Sequence, residues 1–265
     1  MLSRFKKEKR AAFIPFVVAG DPSLAVTDRM IDVLVEEGAD LLEIGVPFSD
    51  ALADGPVIQA ASERASRTVF SMTQVLDFIQ GVHARHPQTP IIAFTYYNPI
   101  LSLGVEIFAQ KAKAAGVSAV LVVDLPPEES GSYRKILAEA GLKTVFLASP
   151  TTSPSRLPMI AEASTGFIYY VSRTGVTGVQ DELSQTLAAE LKQVRAQTDK
   201  SLAVGFGISR AVHAEAVARL AEAVVVGSAF VRLIAEPLEV EEIEANVRRL
   251  ARELVQAIRG VSRNS

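Results

Sequence analysis

The feature that most constrains this chain is an alternation repeated eight times along it: a short apolar run of strand length, then a longer stretch with helical periodicity. The apolar runs fall at 13–18, 41–44, 91–95, 119–123, 144–147, 167–171, 202–204 and 223–226. Helical patterns follow them at 24–36, at 57–67 and 73–84, and at 104–115, 128–140, 154–163, 183–197 and 210–220. Apolar runs without polar alternation suit strands covered on both faces, the condition of a parallel sheet wrapped by helices. Eight β/α units in 265 residues predict an α/β fold, one (β/α)8 barrel domain spanning 1–265 and closed by right-handed crossovers. An open doubly wound sheet is the alternative. It lacks its signature here, because Gly20-Asp21-Pro22 rather than G-x-G-x-x-G follows the first run.

Extra helices decorate the barrel. An amphipathic N-terminal helix over 2–10, with Leu2 and Phe5 on one side, is expected to cap one end. Further helical segments follow runs two and eight. In the last of them Glu239, Glu241 and Glu242 occupy the first turns, Ile243, Val247, Leu250, Leu254 and Ile258 share one face, and Gly260 is the stop.

Active sites of such barrels lie at the C-terminal ends of the strands, so residues just after each run pool into one mouth. Glu43 lies inside the second apolar run, where a carboxylate either finds partners or has its pKa pushed towards neutrality, as a general acid/base requires. The polar loop behind it supplies a second carboxylate, Asp54, just before Gly55-Pro56. An ion-pair role for Glu43 and a helix-capping role for Asp54 stay open when each is taken singly. Together the two flank one strand end as an acid/base pair.

The loop after run six, Ser172-Arg173-Thr174-Gly175-Val176-Thr177-Gly178, is expected to run for about a dozen residues, longer than ordinary βα connections, and to act as a lid with glycine hinges. The turns after runs seven and eight, Gly205-Phe206-Gly207 and Gly227-Ser228, bring glycines to helix N-termini in the two places where this fold seats phosphate. Phe16, Phe94, Tyr96, Tyr169 and Phe206 stand near strand ends, where they can receive a flat ring or simply pack the barrel.

Absences narrow the chemistry. The chain has no cysteine, which excludes disulfides and thiolate chemistry. Its three histidines, His83, His86 and His213, fall on predicted helices or helix ends, so no metal ligand set is expected at the mouth. Lys143 and Lys200 precede strands, at the wrong end for a Schiff base. Metal-free carboxylate catalysis on a phosphorylated substrate remains. A net charge of −3 gives no basic patch for nucleic acid or anionic membrane. Residues 1–20 mimic a signal peptide, but Pro15 interrupts the apolar stretch, which serves better as the first strand, and no run approaches membrane-spanning length. A cytoplasmic location is expected.

These residues match a known pattern. Gly20-Asp21-Pro22, Leu42-Glu43-Ile44-Gly45-Val46-Pro47-Phe48-Ser49-Asp50, Ala53-Asp54-Gly55-Pro56, Thr95-Tyr96-Tyr97-Asn98-Pro99, Asp124-Leu125-Pro126, the loop-six motif, Gly205-Phe206-Gly207-Ile208-Ser209 and Gly227-Ser228 together resemble the α subunits of tryptophan synthase, in order and over essentially the whole chain. The resemblance implies retro-aldol cleavage of indole-3-glycerol phosphate to indole and glyceraldehyde 3-phosphate. Carried over by position, Glu43 would protonate indole C3 and take the glyceryl hydroxyl proton, and Asp54 would hold the indole N–H. Phe16, Phe94, Tyr169 and Phe206 would line the indole pocket. Gly178, Gly207, Gly227 and Ser228 would bind phosphate, and Arg173, Gly175 and Thr177 would belong to the lid. The family further implies no cofactor in this chain and a pyridoxal-phosphate β subunit as partner in an αββα assembly, faced by the loop bearing Pro47 and Asp50. One residue departs from the pattern: Ala51 stands where the family usually has proline. A stand-alone lyase releasing free indole, and a barely active subunit that chiefly activates its partner, are the alternative functions.

Overall fold

The computed structural model describes residues 1–69, 71–172, 180–205 and 207–261. Eight parallel strands close into a barrel in sequential order, β8 pairing back onto β1. They are β1 (Ala12–Val18), β2 (Leu42–Gly45), β3 (Ile91–Thr95), β4 (Val117–Val122), β5 (Lys143–Ala148), β6 (Ile168–Val171), β7 (Leu202–Gly205) and β8 (Ala223–Val226). This is the (β/α)8, or TIM, barrel that the eightfold alternation predicts.

The helices are α1 (Ser3–Lys7), α2 (Leu24–Glu36), α3 (Pro56–Ala65), α4 (Met72–Arg85), α5 (Tyr97–Leu103), α6 (Val105–Ala114), α7 (Gly131–Glu139), α8 (Leu157–Ala163), α9 (Gln180–Arg195), α10 (Ala211–Leu220), α11 (Ser228–Ile234) and α12 (Val240–Arg259). Local chemistry sets several of their starts. The Ser23 and Ser71 hydroxyls accept the N–H groups of Val26 and Gln74, each at 3.2 Å, capping α2 and α4. Pro56 opens α3, where its missing N–H costs nothing.

Two apolar layers result. Between sheet and helices, residues such as Phe13, Val17, Leu42 and Ile44 meet the buried stripes of α2 and α12. Along the barrel axis, Ile14, Leu41, Ile92, Leu121, Val145 and Phe167 fill the interior. Leu2 and Phe5 of the N-terminal segment join this axial cluster, so the bottom of the barrel is plugged. Outside, Arg248 and Arg252 of α12 pair with Glu36 and Glu37 at the end of α2, and Arg29 pairs with Glu241 and Glu244. Each such exposed pair is worth about 0–1 kcal/mol, so burial of the α12 stripe does most of the fastening.

The elements differ from the expected spans in four places. The N-terminal helix stops at Lys7 rather than at residue 10, because Lys9 turns to φ 53° and Arg10 is drawn into a two-bond pair with Asp40 at 2.8 Å. The stretch before Gly104 is helical: α5 ends where Gly104 takes φ 92° and α6 then begins. Asn98-Pro99 has the look of a turn, but proline in a first helical turn forfeits no hydrogen bond. The helices expected from 128 and 154 each start as a short 3-10 turn, Pro127–Glu129 and Pro154–Arg156. Helix α9 begins at Gln180, three residues ahead of the expected start at 183, and the expected long loop after β6 falls on 173–179, outside the described residues.

Candidate active site

Strand register sets the floor of the mouth. Phe16 of β1 lies beside Glu43 of β2, and Gly45 lies beside Phe94 of β3. The Phe16 and Phe94 rings meet edge-on with centroids 5.1 Å apart. A Cβ at Gly45 would stand 2.8 Å from Phe16 Cζ, so this position must lack a side chain for the ring to lie where it does. Glu43, Phe94 and Tyr169 all face one cavity of about 330 Å³ at the C-terminal ends of the strands.

Asp54 reaches the same cavity from the loop between β2 and α3. Its carboxylate oxygen Oδ2 accepts the Tyr96 hydroxyl at 2.9 Å, and the Tyr96 oxygen accepts the Ala53 N–H at 3.0 Å. The Gln59 side-chain amide of α3 reaches back to the Asp54 and Ala51 carbonyls at 2.8 and 3.2 Å. The loop is thus held from both flanks.

The two carboxyl groups differ in state. Glu43 is 1% exposed, and its Oε1 has no hydrogen-bond partner among the described residues. Burial first, and then the charge of Asp54, push its pKa up to about 8. Burial also raises Asp54, opposed by the Tyr96 hydrogen bond, to about 6. Near pH 7 the cavity therefore holds one protonated acid and one carboxylate. The Tyr169 phenol lies well above its ordinary range, through burial and then the charges of Glu43 and Asp54, and stays protonated.

Gly207, Gly227 and Ser228 also line the cavity, Gly227 beside Phe16 and Ser228 opening α11. Phe16, Glu43, Asp54, Phe94, Tyr169, Gly207, Gly227 and Ser228 are thereby brought to one cavity. Phe206, Arg173, Gly175, Thr177 and Gly178, expected at the site, lie outside the described residues. Pro47 lines a neighbouring groove with Phe48 and Asn98 rather than the cavity itself, Asp50 is exposed, and Leu52 between them and Asp54 is 87% exposed. Four features of the site escaped sequence reasoning: the Tyr96 bond to Asp54, the Gln59 clasp, the apolar wall of Val123, Leu147 and Val171, and Arg232. Position just after a strand, the signal that pooled the others, could have found Val123. Among the described residues no group of three or more His, Cys, Asp or Glu side chains converges as a metal site.

A family model described as tryptophan synthase alpha chain matches residues 2–259. The chain belongs to the tryptophan synthase alpha chain family. It is 48% identical to the tryptophan synthase alpha chain of Synechocystis over 254 residues, 96% of each chain. The crystal structure of the alpha subunit from Legionella pneumophila superposes with a TM-score of 0.90 at 36% identity, covering 98% of this chain and 97% of that one. A Pyrococcus furiosus structure, described as bearing on mutual activation of the tryptophan synthase α2β2 complex, matches at a TM-score of 0.84 and 38% identity over 93% of this chain and 98% of its own. As a member of that family, the chain catalyses the carbon–carbon lyase step that cleaves indole-3-glycerol phosphate in tryptophan biosynthesis. No helix among the described residues is long and apolar enough to cross a membrane.

Proposed function

We propose that Glu43 and Asp54 divide the retro-aldol chemistry according to their different states of protonation. Glu43, neutral near pH 7, donates its proton to indole C3, and the ring becomes an indoleninium cation. Asp54, ionised at the same pH, accepts the indole N–H and stabilises the positive charge as it develops. The carboxylate left on Glu43 takes the proton of the glyceryl hydroxyl next to the ring, and that oxygen becomes the aldehyde carbonyl as the carbon–carbon bond breaks. One proton enters at carbon and one leaves from oxygen, so Glu43 finishes as it began.

Phe16, Phe94 and Tyr169 enclose the indole ring, and the N–H groups around Gly207, Gly227 and Ser228 seat the phosphate. Phe206, Gly178 and the lid residues Arg173, Gly175 and Thr177 keep the roles the family implies. The whole chain acts as one domain in the cytoplasm with no cofactor of its own. It works with a pyridoxal-phosphate β subunit in an αββα assembly, docking through the face that carries Pro47, Asp50 and the exposed Leu52.

The unpartnered Glu43 Oε1, turned into a cavity shared with Asp54, is the observation that carries this assignment. Its test is indole release by the chain alone and with a β subunit. Glu43→Gln abolishes turnover in both settings while glycerol 3-phosphate binds within a few-fold of the parent; retained turnover removes Glu43 from the chemistry.

A further inference from the structure

Glu43, Asp54 and Arg232 are the acidic and basic side chains that line the active cavity among the described residues, and only Arg232 is a cation. It lies on α11, one helical turn beyond Ser228. Residues four apart share a helix face, and the Cα–Cβ bond leans towards the helix N-terminus, so the Arg232 side chain extends back over the turn that Ser228 opens. Phe230 and Val231 beside it are fully buried, which fixes the rotation of α11 and leaves Arg232 at the rim.

The guanidinium is uncommitted. Arg232 makes no ion pair and no side-chain hydrogen bond among the described residues, whereas many surface arginines here are engaged, Arg29, Arg64, Arg85, Arg156 and Arg248 included. It also borders an outer groove with Glu236, Arg249 and Glu253, yet bonds to neither acid.

The cavity needs such a charge. A phosphate monoester brings about −1.5 to −2 near pH 7, into a space that already holds the Asp54 carboxylate. Helix α11 is only seven residues long, so its end dipole at Ser228 leaves most of that charge unmatched. We propose that Arg232 supplies the missing cation, pairing with the phosphate of the bound substrate and setting the preference for the phosphorylated over the unphosphorylated compound. It is a binding residue at the rim, remote from the carbon–carbon bond. The proposal rests on the phosphate seat at Gly207, Gly227 and Ser228 proposed above.

The test uses the full chain, with Arg232→Gln and Arg232→Lys compared with the parent. Arg232→Gln is expected to raise KM for indole-3-glycerol phosphate and Kd for glycerol 3-phosphate about tenfold, with kcat held within about twofold, the signature of lost uniform binding. Affinity for unphosphorylated indole glycerol stays unchanged, and Arg232→Lys recovers most of the loss. The parent loses glycerol 3-phosphate affinity with added salt more steeply than Arg232→Gln does. If the parent binds glycerol 3-phosphate and Arg232→Gln binds it equally well, Arg232 has no such role and the backbone seat stands alone. If the parent does not bind glycerol 3-phosphate, the seat itself fails and takes the Arg232 assignment with it.

Discussion

The Tyr96 hydroxyl donates to Asp54 Oδ2 at 2.9 Å, joining the end of β3 to the carboxylate that shares a cavity with Glu43. This bond works against burial and keeps the Asp54 pKa from rising beyond about 6. With Glu43 at about 8, a window is left in which one group is charged and the other is not.

The pH profile follows. Activity requires Asp54 ionised, so it falls as pH drops through the lower value; it requires Glu43 protonated, so it falls as pH rises through the upper one. A bell in kcat/KM with apparent limits near 6 and 8 is expected, the limits belonging to the pair as a unit. Tyr96→Phe removes the bond that lowers Asp54, so the acid limb moves to higher pH and the bell narrows. An acid limb that stays in place in Tyr96→Phe would separate it from Asp54.

Glu43 also carries a stability cost. Its pKa rises from 4.5 when free to about 8 in the fold, so the native chain retains a proton that the unfolded chain releases between those values. Stability present below the unfolded value is therefore lost progressively across that interval and levels off above the folded value. Glu43→Gln removes the dependence. Its melting temperature should exceed that of the parent by about 5 °C at pH 8, with a smaller gap at pH 5. A gap that does not widen with pH contradicts the burial cost.

Gly45 and Phe16 make a packing prediction. The Cβ of Gly45→Ala would meet Phe16 Cζ at 2.8 Å, displacing the ring from the cavity floor. Overpacking of this kind costs about 1–3 kcal/mol, so KM for the substrate should rise and the melting temperature should fall. Phe16→Leu added to Gly45→Ala frees the space and should restore stability without restoring the indole pocket. Thermal melts and substrate kinetics on the single and double variants distinguish the two effects.

Ala51 is buried, and its carbonyl accepts both the Asp54 N–H at 3.1 Å and the Gln59 amide at 3.2 Å. Side-chain clasping takes the place of the φ constraint that the expected proline would have supplied. Gln59→Ala should lower kcat several-fold by loosening the loop that carries Asp54. The Ala51 N–H donates no hydrogen bond among the described residues, so Ala51→Pro forfeits none and should recover much of the loss. Steady-state kinetics on the double variant decide the matter, and an additive loss would count against the clasp.

Barrel topology explains why so much of the site was legible beforehand. Once eight strand–helix units are counted, position just after a strand becomes position at one mouth, and Glu43, Asp54, Gly207, Gly227 and Ser228 meet without any contact being known. What escaped needed geometry that linear spacing does not carry. The need for a bare Gly45 arises only from the register that sets Phe16 beside Glu43. Tyr96 reads as an aromatic near a strand end, and its hydroxyl matters only because Asp54 folds back onto it across 42 residues. Arg232 sits inside a helix rather than after a strand, out of reach of the rule that found its neighbours.

Leu2 and Phe5 stopper the lower end of the barrel, which leaves the mouth at the C-terminal strand ends as the way into the interior among the described residues. Whatever enters to be cleaved and both fragments that result share that doorway. The order in which indole and the triose phosphate depart is then decided at a single threshold, where a docked neighbour would also stand.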